Sequence, residues 1–227
     1  MKRTISKSKY IAAFFITIVI FGLGFFLSVL IEESRSDLTA KTIAQQKVDT
    51  SSLQLQYLYL NELELDNCDS LNELFKINLD SLDKSMKRVN SYKDSSIVDS
   101  EEFGLIQREY ILEQIRYWLL AKKVKESCNQ DFITALSFIE EDCRKCETQT
   151  FTLEFIKKEL GDDFLLFHFN KEIKEPMIST LIAQYNITEY PTTVIMSKKI
   201  PGLVSEKELL SKICPLYSTN KEVCSTE

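Results

Sequence analysis

Cys143 and Cys146 are separated by two residues and stand between an apolar run and a segment of helical composition. The apolar run, residues 132–138, is typical of a buried strand, and residues 148–160 predict a helix that Gly161 ends. A strand that leads through Cys-x-x-Cys into a helix places the first sulfur at the helix N-terminus and the second one turn later. The chain must therefore fold so that a strand ends beside a helix N-terminus.

The position of Cys143 predicts a reactive sulfur. Unpaired backbone N–H groups and the positive end of the helix dipole stabilise a thiolate there, which lowers the pKa of the cysteine. Cys143 is therefore the predicted nucleophile. Cys146, one turn further along the helix, is the predicted resolving thiol.

Zinc sites also use Cys-x-x-Cys. A structural zinc ion takes four ligands, usually from two such pairs, and this chain has no second pair. His168 is the only histidine and lies in a predicted strand, where a core or edge position is more common than a ligand position. We therefore expect neither a metal site nor a cofactor.

After residue 131 the chain alternates short β-rich runs with helical segments. Strands are predicted at 164–169 and 192–197, and a helix is predicted at 177–185. A turn at Pro201 and Gly202 then leads through a fourth strand to a helix that begins at Ser205. The β-α-β-α-β-β-α order predicts an α/β domain with a central mixed sheet flanked by helices.

A second sequence feature lies about 45 residues after the dithiol, where Tyr190-Pro191-Thr192-Thr193 immediately precedes a predicted strand. With the strand, the dithiol and the helix, this arrangement resembles thioredoxin-like proteins over about residues 131–213. The resemblance implies that Cys143 is an exposed nucleophile, Cys146 a buried resolving thiol and Pro191 a cis-proline that faces them. It also implies that Tyr190 and Thr192 contact the substrate, with the Tyr190 backbone pairing with an extended segment across the mixed disulfide.

The residues around the cysteines depart from that family. Thioredoxins usually carry Trp before the first cysteine and Gly-Pro between the two, whereas this chain has Asp142, Arg144 and Lys145. Their buried acid would fall on Ser137. Arg144 and Lys145 favour a thiolate and Asp142 opposes it, so these residues are predicted to tune the thiol pKa in opposite directions. The sequence leaves the direction of electron flow open.

Residues 11–31 contain no charged side chain. As a helix they would span roughly 30 Å, the thickness of a bilayer's hydrocarbon core, so they predict a transmembrane signal anchor rather than a cleaved signal peptide. Lys2 and Arg3 precede the stretch, while Glu32 and Glu33 follow it. Cationic flanks stay in the cytoplasm, which predicts a cytoplasmic N-terminus at 1–10 and extracytoplasmic domains after the span.

Residues 38–128 contain no proline and only one glycine, and they are predicted to form a module of about three helices. In an antiparallel arrangement Cys68 and Cys128 meet at the same end, where they could form a disulfide or remain two unpaired small residues. The last of these helices, residues 100–127, carries two apolar faces. Two faces predict two packing partners.

The remaining cysteines, Cys214 and Cys224, bracket a short loop in the C-terminal tail, residues 214–227. An even number of cysteines suits an oxidising compartment, and a Cys214–Cys224 disulfide would clip this tail. Their spacing also allows a second redox relay. The net charge of −6 argues against nucleic acid as a partner, because phosphate binding needs a concentrated basic surface.

These features together predict a membrane-anchored thiol-disulfide oxidoreductase that acts outside the cytoplasm. Its expected partners are the thiols and disulfides of secreted or membrane proteins, a redox partner protein and the membrane itself. A non-catalytic thioredoxin-fold scaffold that uses the helical module as its partner surface is the alternative. An electron relay for cofactor assembly is a further alternative that the sequence does not distinguish from the first.

Overall fold

The computed structural model describes residues 14–26, 48, 51–52, 54–55, 68–93 and 100–225. The chain divides into a first unit that ends at residue 64 and a second unit that begins at residue 65. In the first unit, residues 14–26 are helical and their large apolar side chains are exposed, including Phe21 and Phe25. In the described part of the chain, no helix is both long and apolar enough to cross a bilayer.

Two sequence predictions lie partly outside the described residues. The predicted anchor, residues 11–31, extends past both ends of the described helix at 14–26. Most of the segment predicted as the first helix of the helical module also lies outside. Both therefore remain predictions.

The second unit begins with two long antiparallel helices, α1 (Cys68–Lys93) and α2 (Ser100–Cys128). A disulfide joins their outer ends at Cys68 and Cys128, with a Cα–Cα distance of 5.5 Å. Between the helices the Phe75 and Tyr117 rings stack with centroids 4.5 Å apart. Aromatic packing and the disulfide thus hold the two helices together.

A four-stranded sheet and three further helices complete the second unit, in the strand order β2-β1-β3-β4. β1 and β2 are parallel, whereas β3 runs antiparallel to both β1 and β4. The elements are β1 (Ile133–Ile139), α3 (Arg144–Leu160), β2 (Phe164–Asn170), α4 (Pro176–Gln184), β3 (Thr192–Ile195), β4 (Lys198–Pro201) and α5 (Glu206–Ile213).

The sheet is buried between helices on both faces. On β1, Leu136 and Phe138 belong to the core that includes residues of α2 and α4, and Ile133 and Ala135 belong to the core that includes residues of α3 and α5. A nearly continuous apolar strand results, because a strand covered on both faces buries successive side chains in opposite directions. The mixed sheet with flanking helices agrees with the predicted element order.

The hairpin between β3 and β4 differs from the sequence prediction. β3 ends at Ile195 instead of Ser197, because Met196 and Ser197 adopt left-handed backbone conformations, with φ of 46° and 76°. The prediction that the fourth strand follows Pro201 and Gly202 is wrong, since β4 begins at Lys198 and already ends at Pro201. The tight turn is therefore formed by Met196 and Ser197, earlier in the chain than the predicted turn at Pro201 and Gly202.

The C-terminal segment is a closed ring that packs against the sheet unit. Cys214 and Cys224 form a disulfide with a Cα–Cα distance of 5.6 Å. Inside the ring, Ser218 and Thr219 each donate a backbone and a hydroxyl hydrogen bond to the Asp131 carboxylate, at 2.5 to 3.0 Å. Because Asp131 stands just before β1, these bonds fix the ring beside the start of that strand.

Candidate redox site

The Cys143–Cys146 disulfide lies at the N-terminus of α3. Cys143 is the N-cap residue and has an extended backbone. Its carbonyl oxygen accepts hydrogen bonds from the backbone N–H groups of Cys146 at 2.9 Å and Glu147 at 3.1 Å. Its Sγ atom accepts a further bond from the Cys146 N–H at 3.1 Å. A backbone donor is thus already directed at the sulfur predicted to carry the thiolate.

The two sulfurs differ in accessibility. Cys143 is half-buried, whereas Cys146 has only 2% of its surface exposed. A molecule that approaches from solvent therefore reaches Cys143 before Cys146. The roles of Cys143 as nucleophile and Cys146 as resolving thiol remain predictions.

The Tyr190–Pro191 segment lies at the same end of the sheet as the dithiol. Thr192 pairs with Phe138 at the end of β1, and the chain continues from β1 directly to Cys143. The Tyr190–Pro191 peptide bond is cis. Gly202, the residue after β4, donates its N–H to the Pro191 carbonyl at 2.8 Å and so holds this segment in place.

Thr192 has a structural contact of its own. It is buried, and its hydroxyl donates to the Glu189 carbonyl at 2.7 Å. Its side chain therefore closes the turn that carries Tyr190 and Pro191, and substrate contact by Thr192 remains a prediction.

Tyr190 is half-buried, and its ring is covered by Lys171, a residue that the sequence analysis did not identify. Lys171 Nζ lies 4.7 Å from the centre of the Tyr190 ring and is paired with the Glu140 carboxylate. Burial raises the pKa of Tyr190, and the Lys171 ammonium acts in the opposite direction. Glu140 and Lys171 directly follow the paired strands β1 and β2, which end at the same sheet edge because they are parallel. No local sequence pattern identifies this cluster, because it depends on the parallel pairing of β1 and β2.

Ser137, at the position of the family's buried acid, is fully buried on β1 and stands opposite Thr193 of β3. By strand alternation it shares a face with Ala135, which is packed toward α3. On the same side, the buried Gln149 of α3 accepts a hydrogen bond from the Val204 backbone N–H at 2.7 Å. A hydroxyl and an amide thus occupy the layer between the sheet and the dithiol helix.

The three predicted tuning residues surround the dithiol in sequence and are exposed. Asp142 has a left-handed backbone with φ of 53°, a conformation that Asp tolerates better than most residues. Arg144 and Lys145 occupy the first turn of α3. Their exposure places their charges in water, where screening weakens their effect on the sulfur.

Other predicted disulfides lie away from this site. Cys128, which is bonded to Cys68, precedes β1. Asp131, which binds the C-terminal ring, also precedes β1. The dithiol follows the opposite end of that strand. Among the described residues, no cluster of three or more His, Cys, Asp or Glu side chains could hold a metal ion. The dithiol and the Tyr190–Pro191 segment are therefore brought together, and the other cysteines are not.

The topology decides the fold. A parallel β1–α3–β2 unit, the antiparallel β3–β4 hairpin and a dithiol at the start of α3 reproduce the arrangement that the resemblance implied. The domain has a thioredoxin-like fold.

Comparisons with known proteins found similar solved structures at low sequence identity. No family model and no curated protein matches the sequence. Thioredoxin-2, described as a component of the malaria parasite protein secretion machinery, is 17% identical with a TM-score of 0.33, and the match covers 37% of this chain and 82% of that one. Chloroplastic thioredoxin z is 16% identical with a TM-score of 0.34, and the match covers 39% and 81%.

A further structure, described only as a malarial protein, is 15% identical with a TM-score of 0.33, and the match covers 39% of this chain and 100% of that one. At these identities a shared activity does not follow. The chemistry of this chain rests on its own site.

Proposed function

We propose that this chain is a thiol-disulfide oxidoreductase that acts on protein disulfides through Cys143 and Cys146. The observation that carries the proposal is the position of Cys143, a half-buried residue whose Sγ caps α3 and accepts the Cys146 N–H at 3.1 Å. A sulfur in this position is accessible and has a donor in place for its anionic form.

The reaction is two successive thiol-disulfide exchanges. In the reductive direction, the Cys143 thiolate attacks one sulfur of a substrate disulfide, forming a mixed disulfide and releasing the other substrate sulfur as a thiolate. Cys146 then attacks the Sγ of Cys143, which releases the second substrate thiol and leaves the Cys143–Cys146 disulfide. Oxidation of a substrate dithiol follows the same steps in reverse.

The site of action in this proposal is outside the cytoplasm, with residues 11–31 as the membrane anchor. The uncharged stretch and its cationic N-terminal flank support this placement. The pairing of all six cysteines also supports it, because several structural disulfides are typical of an oxidising compartment. Substrates would then be secreted or membrane proteins, and a separate redox protein would restore the dithiol.

Trapping tests the two cysteine roles. The full chain with Cys146→Ser is mixed with a peptide that contains one disulfide, and adducts are followed by mass spectrometry. We expect a stable mixed disulfide at Cys143, because no resolving thiol remains. The matched Cys143→Ser chain should form the adduct at least about tenfold more slowly, because Cys146 is buried.

Equal trapping by both single variants would overturn the assigned roles. Catalytic exchange by the Cys143→Ser, Cys146→Ser double variant at the wild-type rate would overturn the function itself. Circular dichroism of each variant checks that the fold is retained.

A non-catalytic thioredoxin-fold scaffold is the second candidate function. Exposed apolar side chains on α2 and α3 favour it, because such side chains could bind a partner protein. Phe151 of α3 is 75% exposed and Leu105 of α2 is 58% exposed. The reduction potential of the Cys143–Cys146 pair separates the two functions. A potential below about −300 mV indicates an inert structural disulfide and a scaffold, whereas a higher value indicates an exchanging pair and also gives its direction.

A further inference from the structure

A row of polar side chains crosses the face of the sheet that α3 covers. Ser137 of β1 stands between His168 of β2 and Thr193 of β3, since it is in register with both. Residues in register on neighbouring strands point to the same face, and Ala135, two residues earlier on β1, packs toward α3. The three side chains therefore lie side by side beneath the helix that begins at the dithiol.

Each member of this row has a buried polar atom without a partner. Ser137 and Thr193 are 0% and 1% exposed, and neither side-chain oxygen is hydrogen-bonded within the described part of the chain. The same holds for His168 Nδ1 and for the side-chain nitrogen of Gln149, which lies with Cys146 on the buried stripe of α3. Buried polar atoms are normally paired, because leaving one unpaired is destabilising. Four such atoms in the layer that also contains Cys146 point to a role in its chemistry.

The imidazole of His168 carries its hydrogen on the nitrogen outside this row. Nε2 lies 2.8 Å from Oε1 of Glu154, a side chain that is 56% exposed. The hydrogen bond from His168 lowers the pKa of Glu154, so this carboxyl group is ionised and can only accept. Nε2 is therefore the donor, and Nδ1 of the neutral ring is left as a buried acceptor.

Cys146 needs a proton acceptor in the proposed reaction. It attacks as a thiolate, and burial disfavours the charged form of a thiol. At the position where thioredoxins carry a buried acid, this chain has Ser137, which is uncharged. The residue in register with Ser137 on β2 is a titratable one, His168, and its Nδ1 atom is a buried acceptor.

We propose that His168 takes up the proton of Cys146 through the hydroxyl of Ser137, a role that rests on the thiol-disulfide exchange proposed above. Neighbouring strands lie about 4.8 Å apart, so the Ser137 hydroxyl reaches the His168 ring directly or through one water. A hydroxyl both donates and accepts, so it receives a hydrogen from the thiol while it gives its own to Nδ1. His168 does not touch the reacting sulfurs and is a positioning residue for their proton.

Atoms and electrons balance in this step. Cys146 gives up its S–H proton, and its sulfur forms the bond to Cys143 Sγ while the bond from Cys143 to the substrate sulfur breaks. The two cysteines are oxidised, and the substrate is reduced, leaves as a thiolate and takes a proton from water. His168 is left as an imidazolium beside the Glu154 carboxylate and returns the proton to solvent past that exposed side chain.

Glu154 is the charged group in direct contact with His168. From α2, Gln114 accepts the His168 backbone N–H at 3.0 Å and carries no charge. Tyr110 of α2 and Lys157 of α3 both interact with Glu154, and burial raises the pKa of Tyr110 and lowers the pKa of Lys157. The Glu154 carboxylate is therefore the direct electrostatic partner of the protonated ring.

Stopped-flow release of a chromogenic thiol tests this role. The full chain is reduced at Cys143 and Cys146 under mild conditions, mass spectrometry checks that its other disulfides stay intact, and excess dithiobis-nitrobenzoate is added. The first release of coloured thiol depends on reagent concentration and reports attack by Cys143, whereas the second does not and reports attack by Cys146 on the mixed disulfide. His168→Gln, which keeps a donor for Glu154, should slow the second release at least about tenfold at pH 7 and change the first by less than about twofold.

The pH dependence of the second release separates proton uptake from a packing effect. The loss in His168→Gln should shrink as pH rises and vanish above about pH 9, because Cys146 then loses its proton to hydroxide directly. Ser137→Ala should show the same loss and the same convergence. Leu166→Ala is the matched control, since Leu166 lies on the same face of β2 and packs against the core that includes residues of α3. It should leave the second release unchanged.

Each outcome points to a different conclusion. If the wild-type chain shows neither release, the exchange function itself is wrong. If the wild-type chain shows both, an unchanged second release in either His168→Gln or Ser137→Ala overturns the proton path and leaves the exchange function standing. A loss of equal size at every pH also overturns it, because altered packing then explains the loss. Circular dichroism checks each fold, and Ser137→Ala alone decides if His168→Gln does not fold.

Discussion

The ammonium of Lys171 lies 4.7 Å from the centre of the Tyr190 ring, next to the cis peptide bond that precedes β3. The same ammonium pairs with Glu140, which stands just after β1. The chain segments that leave β1 and β2 are thereby tied to the segment that enters β3. In the proposed reaction this cluster forms one edge of the surface that a substrate meets beside Cys143.

Removal of the Lys171 charge should weaken the exchange reaction with protein substrates. We expect Lys171→Ala to lower kcat/KM for a disulfide-containing protein by about two- to fivefold, the value of a partly exposed cation–aromatic contact. The rate with dithiothreitol should stay unchanged, because a small thiol does not contact Tyr190. Lys174→Ala, an exposed lysine three residues on, is the control. Equal losses in both variants would assign the effect to overall charge.

The sequence could predict the chain path to the dithiol but not the Lys171 cluster. The apolar run 132–138, Gly161 and the cysteines gave the strand, the helix end and the N-terminal sulfur, since these features depend on local backbone requirements. Glu140 and Lys171 meet only because β1 and β2 pair in parallel register. Contacts of that kind depend on topology, which no local pattern contains.

The β3–β4 turn shows a different limit. Met196 and Ser197 both have positive φ, yet neither is among the Gly, Asn or Asp residues that usually identify such turns. Met196 is also held by a residue outside the turn, because its Sδ atom accepts a hydrogen bond from the Thr134 backbone N–H at 3.4 Å. Tertiary contact thus sets a turn that turn propensity alone would not place here.

The difference in burial between the two thiols predicts different alkylation rates. With the disulfide opened by substitution, the Cys143 thiol of a Cys146→Ser chain should react with iodoacetamide at least about tenfold faster at pH 7 than the Cys146 thiol of a Cys143→Ser chain. The pH profile of the faster reaction should give a pKa below about 8.5, because the helix N-terminus favours the thiolate. Similar rates and profiles would contradict the assignment of Cys143 as nucleophile.

Asp131 predicts how stability depends on pH. Burial alone would raise the pKa of Asp131, but hydrogen bonds from the backbone and hydroxyl groups of Ser218 and Thr219 outweigh it and hold the pKa well below its ordinary value. A carboxyl group with a depressed folded pKa contributes stability above its unfolded pKa of about 3.9, and the contribution is lost as pH falls toward the folded value. Asp131→Asn should therefore lower the free energy of unfolding at pH 7.

Urea unfolding at several pH values measures this effect. The gap between the wild-type and Asp131→Asn chains should be full at pH 6–7 and should shrink as the pH falls below about 4, because Asp131 of the unfolded wild-type chain then becomes protonated while the folded carboxylate is still ionised. Asp162→Asn is the control, an exposed aspartate in the turn after α3. A gap that stays constant down to pH 2 would indicate that the lost hydrogen-bond geometry, and not the charge, explains the difference.

The two structural disulfides should contribute unequally to stability. Cys68 and Cys128 are 60 residues apart, whereas Cys214 and Cys224 are 10 residues apart. In the chain-entropy description, closing the longer loop stabilises by about 4 kcal/mol and closing the shorter one by about 3 kcal/mol, because the longer loop restricts the unfolded chain more. Paired Cys→Ser substitutions should therefore lower the denaturation midpoint more at Cys68 and Cys128.

Measurements of stability and redox activity distinguish a purely structural Cys214–Cys224 disulfide from one that takes part in electron transfer. If Cys214 and Cys224 only clip the ring that is hydrogen-bonded to Asp131, their double Ser variant should retain the wild-type potential of the Cys143–Cys146 pair and exchange at the wild-type rate below its unfolding midpoint. The ring lies beside the start of β1, at the opposite end from the dithiol, which gives no path for direct exchange within one folded chain. Loss of activity in a fully folded Cys214→Ser, Cys224→Ser chain would instead assign these cysteines a role in electron transfer.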